Sequence, residues 1–138
     1  QFPLILTSGR LVEYEGGGDE TRSNKWLPEL QQEMFAEINP RDAASAGISN
    51  GSLVWVRSPE GARVKVVAMV TERVGPGTVF MPFHFGGYWM GESLEKKYPT
   101  GAAPWVLGES ANTDGTYGYD VVTFMQETKG TLCRIEKA

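Results

Sequence analysis

Apolar residues along this chain fall into short runs, each followed by residues that favour turns. The longest apolar run, at residues 64–70, is interrupted by Lys65 and has the length of a β-strand. Short runs that are rich in β-branched and aromatic residues and bounded by Gly, Pro, Asn or Ser are typical of strands. Many short strands with few helices favour a closed barrel, although the periodicity does not specify which barrel. The pattern predicts six or seven strands, from residues 2–7, 35–38, 53–57, 62–70, 78–81, 121–125 and 131–135.

The segment at residues 35–56 predicts a compact strand–helix–turn–strand unit. Asn39 can cap a helix with its side-chain oxygen, and Pro40 suits the first helical position because no N–H is needed there. We therefore expect a short helix at residues 41–46, which Gly47 ends by entering the left-handed region.

Two loops are long for a chain of this size. Residues 13–24 are polar and contain three consecutive glycines at positions 16–18. We interpret the segment as a loop that is mobile or orders on a ligand, and the glycines as a source of flexibility. Residues 83–120 are irregular and rich in aromatic residues, and only residues 93–98 have a helical pattern. Loops of this length in a compact domain are usually functional or disordered, and the aromatic content favours a functional loop.

Composition and charge exclude several classes of function. The 138 residues, 41% of them apolar, suit one globular domain at residues 1–138. The formal net charge of −4 argues against nucleic-acid binding, and no apolar run is long enough for membrane insertion. Cys133 is the only cysteine, so neither an internal disulfide nor a zinc or iron–sulfur site built from this chain's thiolates is expected. The chain begins at Gln1 rather than Met, as expected of a processed or excised fragment.

Six segments of the chain follow one another in an order that resembles one protein family. They are residues 3–11, 22–27, 38–56, 74–86, 112–113 and 127–138. Together they resemble the C-terminal molybdopterin dinucleotide-binding domain of molybdopterin oxidoreductases, and the last two are most similar to formate dehydrogenase large (alpha) subunits. One departure from the family pattern is the segment at residues 117–123, where many relatives are shorter.

The resemblance implies a mainly β fold, a double-psi β-barrel of the aspartate decarboxylase-like type with a few short helices and long loops. It implies binding of molybdopterin guanine dinucleotide, with the molybdenum or tungsten ligated outside this chain and any iron–sulfur cluster in other domains. The chain would then be the C-terminal fragment of an enzyme that oxidises formate to carbon dioxide by two electrons, and it would not be catalytically complete alone. Its expected partners are the remaining domains of the large subunit and an iron–sulfur electron-transfer subunit.

The end of the first predicted strand offers groups that suit a dinucleotide. Thr7 and Ser8 supply hydroxyl groups, and Gly9 lets a ligand approach the backbone closely. Arg10 could pair with a phosphate or stack on a ring, because its guanidinium is planar and permanently charged. Residue type alone favours an ordinary strand-ending turn with a solvated arginine, whereas the resemblance favours cofactor binding.

The resemblance adds candidates for cofactor binding further along the chain. His84, the only histidine, is expected near the pterin as a hydrogen-bond donor or charge partner, although the ordinary interpretation is a packed histidine bonded to the backbone. Asn112 offers a donor and an acceptor to the edge of a flat ring, although it also suits a turn. No catalytic residue or metal ligand is expected within the chain. The remaining candidates are Arg22, Thr113, Tyr119, Gln126 and Lys129. Lys129 is expected to neutralise negative charge on the cofactor.

Three other functions fit parts of the sequence. A standalone barrel subunit with a binding or assembly role would use the same fold, and the reading frame upstream of Gln1 would distinguish it. A nitrate or oxyanion reductase of the same superfamily would use the same kind of cofactor. Gly51-Ser52 also matches the self-cleavage site of aspartate decarboxylases, but Asn50-Gly51-Ser52 is better explained as a turn that enters a strand.

Overall fold

The computed structural model describes residues 1–100 and 108–138. Within those ranges the chain forms β1 (Leu4–Gly9), β2 (Phe35–Ile38), β3 (Leu53–Arg57), β4 (Arg63–Val70), β5 (Thr78–Pro82), β6 (Tyr88–Trp89), β7 (Glu92–Ser93) and β8 (Thr131–Lys137). Helix α1 spans Pro40–Ser45, and short 3-10 helices span Thr21–Ser23, Glu95–Lys97 and Ala111–Asp114.

Six strands close into a barrel in the order β1, β5, β2, β4, β3, β8 and back to β1. β1 pairs with β5, and β2 with β4, in parallel, whereas the other neighbours pair antiparallel. Closure gives each of these strands a partner on both sides, so the sheet has no exposed edge. The chain therefore has the mainly β, closed-barrel fold that the sequence and the resemblance predict.

Apolar side chains fill the interior of the barrel and alternate with outward-facing ones. On β3 and β4, the inward residues Val54, Val56, Val64 and Val66 are almost completely buried, while Lys65 is only partly buried. Burying one such apolar side chain stabilises the fold by about 1.5 to 3 kcal/mol. A slip of one residue would expose the whole set, so this alternation fixes the register of the strands.

Helix α1 begins and ends within one residue of the prediction. Asn39 Oδ1 accepts a hydrogen bond from the backbone N–H of Arg41 at 3.1 Å, and Asn39 Nδ2 donates to the carbonyl of Val74 at 2.8 Å. Pro40 occupies the first position, and Gly47 follows the helix with a φ of 65°. Asn39 thus caps the helix and also ties it to the loop that precedes β5.

The strand predicted at residues 121–125 is wrong. These residues form a turn within an exposed hairpin, outside the strands of the barrel. The carboxylate of Asp120 accepts hydrogen bonds from the backbone N–H groups of Val122 and Thr123, at 3.0 and 2.7 Å. These local bonds offer the backbone an alternative to a strand ladder, which the apolar pattern of the segment did not reveal.

The segment that follows β5 is mostly irregular, as predicted, but it contains a small sheet that the sequence did not indicate. β6 and β7 pair antiparallel, apart from the barrel. The helix predicted at residues 93–98 is shortened to the 3-10 helix Glu95–Lys97. Residues 101–107 of the same predicted irregular stretch lie outside the described residues. No helix in the part of the chain that the structure describes is long and apolar enough to cross a membrane.

Gly91 lies against the outer face of the barrel, where a larger residue does not fit. Its φ is 89°, and a Cβ atom there would collide with Cη2 of Trp55. The guanidinium of Arg63 lies 4.1 Å from the centroid of the Trp55 ring and helps to hold that ring in place. We predict that Gly91→Ala lowers the free energy of unfolding by about 1 to 3 kcal/mol, as measured by denaturant unfolding.

Gly61→Ala is the matched control, because Gly61 has a φ of 91° but open space where the Cβ would lie. It therefore carries the backbone strain without the collision. An equal loss of stability in the two variants would contradict a role for the contact with Trp55.

Candidate functional site

A cleft of about 370 Å³ lies at one end of the barrel, where several separate segments of the chain meet. Because β1 and β5 are parallel and in register, with Ser8 opposite Met81, the segments that follow these two strands leave the barrel side by side. Chain passages at residues 110–112 and 128–129 complete the walls. Residues that line the cleft include Ser8, Gly17, His84, Ser110, Asn112 and Lys129.

The end of β1 is bonded to the segment that precedes β8. The ammonium group of Lys129 donates to the carbonyl of Ser8 at 2.9 Å, and the hydroxyl of Ser8 donates to the carbonyl of Thr128 at 3.4 Å. Gly9 accepts a hydrogen bond from the backbone N–H of Phe83 at 3.1 Å. These bonds join three distant parts of the sequence into one wall of the cleft.

His84 is buried, with 2% of its surface exposed, and has a positive φ of 96°. Its Nε2 accepts a hydrogen bond from the backbone N–H of Leu11 at 2.9 Å, so in the neutral ring the proton resides on Nδ1. Burial lowers the pKa of His84; the backbone of Gly16 and Glu15 opposes this shift, and the positive charges of Arg10 and Arg22 add to it. The ring is therefore neutral at pH 7 and fixes the chain immediately after Arg10.

The loop with three glycines packs over His84. Gly18 is buried with a φ of 82°, and a Cβ there would lie 2.6 Å from the carbonyl oxygen of His84. The ring of Tyr14 stacks on the imidazole, with 5.5 Å between the centroids. Gly18 is thus required by a close contact, whereas the sequence predicted a loop that is mobile or orders on a ligand. Gly16 and Gly17 line the cleft.

The three predicted cationic residues differ in their relation to the cleft. Lys129 lines it, whereas Arg10 and Arg22 lie outside its lining, although both lower the pKa of the cleft residue His84. Arg22 Nε donates to the carbonyl of Gly18 at 3.1 Å, which holds this arginine beside the glycine loop. Among the described residues, the ion pairs are Arg57–Glu136, Arg73–Glu37 and Arg134–Glu136, so none of the three cations is paired with a carboxylate. The ammonium group of Lys129 gives the cleft a positive charge that suits an anion, although the whole chain is acidic.

Asn112 lines the cleft from the 3-10 helix Ala111–Asp114 and is exposed, so its amide is free to contact a ligand. The neighbouring Thr113 donates its backbone N–H to the carbonyl of Ser110 at 3.0 Å and lies outside the cleft lining. Asp114 ends the helix and is completely buried, and this helix packs against β4 of the barrel.

Not all of the predicted residues meet at the cleft. Thr7 is paired with Phe80 within the barrel sheet, and Gly9 packs on the same ring, since a Cβ there would lie 2.7 Å from Phe80 Cε2. Tyr119 and Gln126 form a β-bridge in the exposed hairpin, where Gln126 Nε2 donates to the carbonyl of Thr116 at 3.1 Å. The contribution of each of these residues to ligand binding stays a prediction.

Sequence reasoning missed several residues of the cleft. Gly16, Gly17, Ser110 and Thr128 line it but carry no distinctive side-chain chemistry in sequence. The available signals were the glycine-rich, polar loop that follows the first strand and, for Thr128, its place in the resembling segment at residues 127–138. Within the described residues, no group of three or more His, Cys, Asp or Glu side chains could hold a metal ion.

Comparison with known proteins gives a family match over most of the chain. Residues 4–118 match the family model described as "Molydopterin dinucleotide binding domain". The F420-dependent formate dehydrogenase subunit alpha of Methanocaldococcus jannaschii is 48% identical over 84 residues, which cover 61% of this chain and 12% of that protein. Formate dehydrogenase 2 subunit alpha (cytochrome c-553) of Nitratidesulfovibrio vulgaris is 33% identical over 141 residues, which cover 100% of this chain and 13% of that protein.

A solved structure has a similar fold. Acetylene hydratase from Pelobacter acetylenicus matches with a TM-score of 0.70 and 22% identity over 99% of this chain and 18% of that chain. This likeness concerns the fold alone. The chain spans only 12% to 18% of the length of these three proteins.

Asp114 makes the stability of the site segment depend on pH. Burial raises the pKa of Asp114 to about 7. Ser58 lowers this pKa, the negative charge of Glu60 raises it, and the positive charge of Arg57 lowers it. An unfolded aspartate ionises near pH 4, so between pH 4 and 7 only the folded state retains this proton, and stability falls as the pH rises. We predict that Asp114→Asn raises the free energy of unfolding at pH 8, by about 1.4 kcal/mol per unit of pKa shift, and changes it little near pH 4.

Denaturant unfolding at pH 8 and pH 4 measures this difference. Asp120→Asn is the control, because hydrogen bonds from Thr123 lower the pKa of that exposed carboxyl, so its loss does not stabilise the fold at pH 8. Equal stabilisation by Asp114→Asn at both pH values would show that Asp114 is not the titrating group.

Proposed function

Because the chain belongs to the molybdopterin dinucleotide-binding domain family, we propose that it holds the dinucleotide part of molybdopterin guanine dinucleotide in a larger formate dehydrogenase. The observation that carries this proposal is a cleft lined by Lys129, Ser8 and Asn112, with no carboxylate partner for Lys129 among the described residues. Arg22 is held at the adjoining glycine loop by its bond to Gly18, and Arg10 follows the end of β1. A dinucleotide contains a diphosphate, whose charge such a set of cations would neutralise.

The chemistry of the cleft fits the other parts of the cofactor as well. The Arg10 and Arg22 guanidinium groups can each offer two parallel N–H donors to a phosphate, and Lys129 adds a mobile point charge. Gly16 and Gly17 leave room for a ligand against the backbone at the cleft wall. The exposed amide of Asn112 can donate to and accept from the edge of a heterocycle, and the neutral His84 keeps these segments in place.

The bound metal–pterin group would supply the redox chemistry, in which formate loses two electrons and one proton to become carbon dioxide. In this proposal, molybdenum or tungsten is ligated outside the chain, and iron–sulfur clusters lie in other domains or in an electron-transfer subunit. The residues of this chain bind and orient the cofactor, so the chain alone is not catalytically complete. The choice of formate is supported by the formate dehydrogenase alpha subunits among its relatives.

Replacing a phosphate-binding cation tests this role. In the full-length enzyme, we expect Arg10→Ala and Lys129→Ala each to weaken cofactor retention by about tenfold or more, since a hydrogen bond to a charged group contributes about 1.5 to 3 kcal/mol. The measurement is guanosine nucleotide released per mole of purified enzyme, with metal content on the same sample.

Lys137→Ala is the matched control, because Lys137 lies at the opposite end of β8 from the cleft. Normal guanosine and metal content in both test variants would contradict the proposed site.

Formate-dependent dye reduction by the native enzyme tests the substrate. A native polypeptide near 15.2 kDa without cofactor would instead indicate a standalone subunit.

A further inference from the structure

Residues 117–126, here called the exposed hairpin, hold large apolar side chains in solvent. Six of the ten residues are both large and apolar or aromatic, and each is more than half exposed. Exposed apolar residues that occur singly are normal, but a continuous patch marks an interaction surface. The exposed fractions are 83% for Tyr117, 54% for Tyr119, 76% for Val121, 82% for Val122, 77% for Phe124 and 69% for Met125.

The hairpin is held in a defined conformation. Asp120 Oδ1 accepts hydrogen bonds from the N–H groups of Val122 and Thr123 and from the Thr123 hydroxyl, at 3.0, 2.7 and 2.8 Å. The rings of Tyr119 and Phe124 stack with 5.9 Å between their centroids, and Phe124 adopts a positive φ of 58°. A non-glycine residue rarely adopts this backbone region, so these local contacts hold the turn in a conformation that Phe124 would not favour alone.

The base of the hairpin is joined to the cleft. The backbone N–H of Glu127 donates to the carbonyl of Gly118 at 2.9 Å, which closes the hairpin. The next two residues, Thr128 and Lys129, line the cleft and are bonded to Ser8. Whatever covers the hairpin therefore also lies beside the rim of the cleft.

We propose that the exposed hairpin docks on an apolar surface of the remainder of the same polypeptide, and so helps to close the cleft around the cofactor. This inference rests on the proposed function. The family match ends at residue 118, the second residue of the hairpin, whereas the formate dehydrogenase relative from Nitratidesulfovibrio vulgaris aligns over the whole chain. This chain covers 13% of that relative, so most of such a polypeptide lies outside it and is large enough to supply the opposing surface.

The position of Lys129 links the hairpin to the chemistry of the cleft. Lys129 lines the cleft and follows the base of the hairpin by two residues. A diphosphate bound there would keep stronger interactions with Lys129 if water were excluded, because charges attract more strongly at low dielectric. Docking of the hairpin would exclude that water without adding any charged group.

Cysteine labelling in the full-length, cofactor-loaded enzyme tests this docking. Val122→Cys is placed in the hairpin, and Val12→Cys is the matched control, since Val12 is fully exposed and outside the hairpin. Maleimide modification of each peptide is followed by mass spectrometry in the native and the denatured enzyme. We expect native labelling of Val122→Cys to be at least tenfold slower than denatured labelling. Labelling of Val12→Cys shows whether the reagent reaches an exposed cysteine of the native enzyme.

Labelling of Val122→Cys at its denatured rate in an enzyme with full guanosine content would overturn the docking and leave the proposed function intact. Protection that disappears on dilution from an oligomer to a monomer would assign the hairpin to a second copy and would also overturn it. Failure of the proposed function has a different signature, because Lys129→Ala would then keep its guanosine content whether or not Val122→Cys is protected.

A second pair of variants tests the consequence for the cleft. Val122→Asp places a charge in the docked surface, and Val12→Asp introduces the same charge elsewhere. We expect Val122→Asp to release the cofactor at least tenfold faster than Val12→Asp during gel filtration of the full-length enzyme. Equal release rates would contradict a role for the hairpin in closing the cleft.

Discussion

The site depends on the parallel pairing of β1 with β5. Parallel neighbours end at the same edge of a sheet, so the segments beginning at Gly9 and Pro82 leave the barrel together, although they are more than 70 residues apart in sequence. β8 pairs antiparallel with β1, with Leu6 opposite Thr131, which brings Lys129 to the same end. The closed barrel holds all three passages in one register, and the cleft lies between them.

Buried polar groups then position the loops that leave the barrel. His84 accepts from the N–H of Leu11, which fixes the chain after Arg10. The buried carboxylate of Glu109 accepts from the backbone N–H groups of Lys65, Met90 and Gly91, at 3.2, 3.1 and 2.6 Å, and so attaches the excursion after β5 to β4. A buried acceptor is costly without partners, so arrangements of these loops that break the bonds to His84 Nε2 or Glu109 are disfavoured.

Local signals explain why the sequence predicted most of the fold. Asn39, Pro40 and Gly47 act within a few residues of the helix that they delimit, and the strands of the barrel alternate with a period of two. The error at residues 121–125 has the same origin, because the apolar pattern there resembles a strand while Asp120 bonds to the neighbouring backbone. Closure of the barrel was predicted, but its register was not.

The site was less predictable because it combines backbone groups from distant segments. The resemblance identified Ser8, His84, Asn112 and Lys129, which the fold brings to one cleft. It covered Thr128 within residues 127–138 but assigned it no role, whereas its carbonyl accepts from Ser8 across 120 residues of sequence. The close contact between Gly18 and His84 is likewise visible only once both loops are folded.

The most direct test of the account is the structure of the full-length enzyme with its cofactor bound. The account predicts that the diphosphate lies in the cleft, with its oxygens about 3 Å from Lys129 Nζ and the Arg10 guanidinium, the usual distance of a charge-assisted hydrogen bond. A dinucleotide bound elsewhere, with Ser8, Asn112 and Lys129 facing solvent, would contradict it.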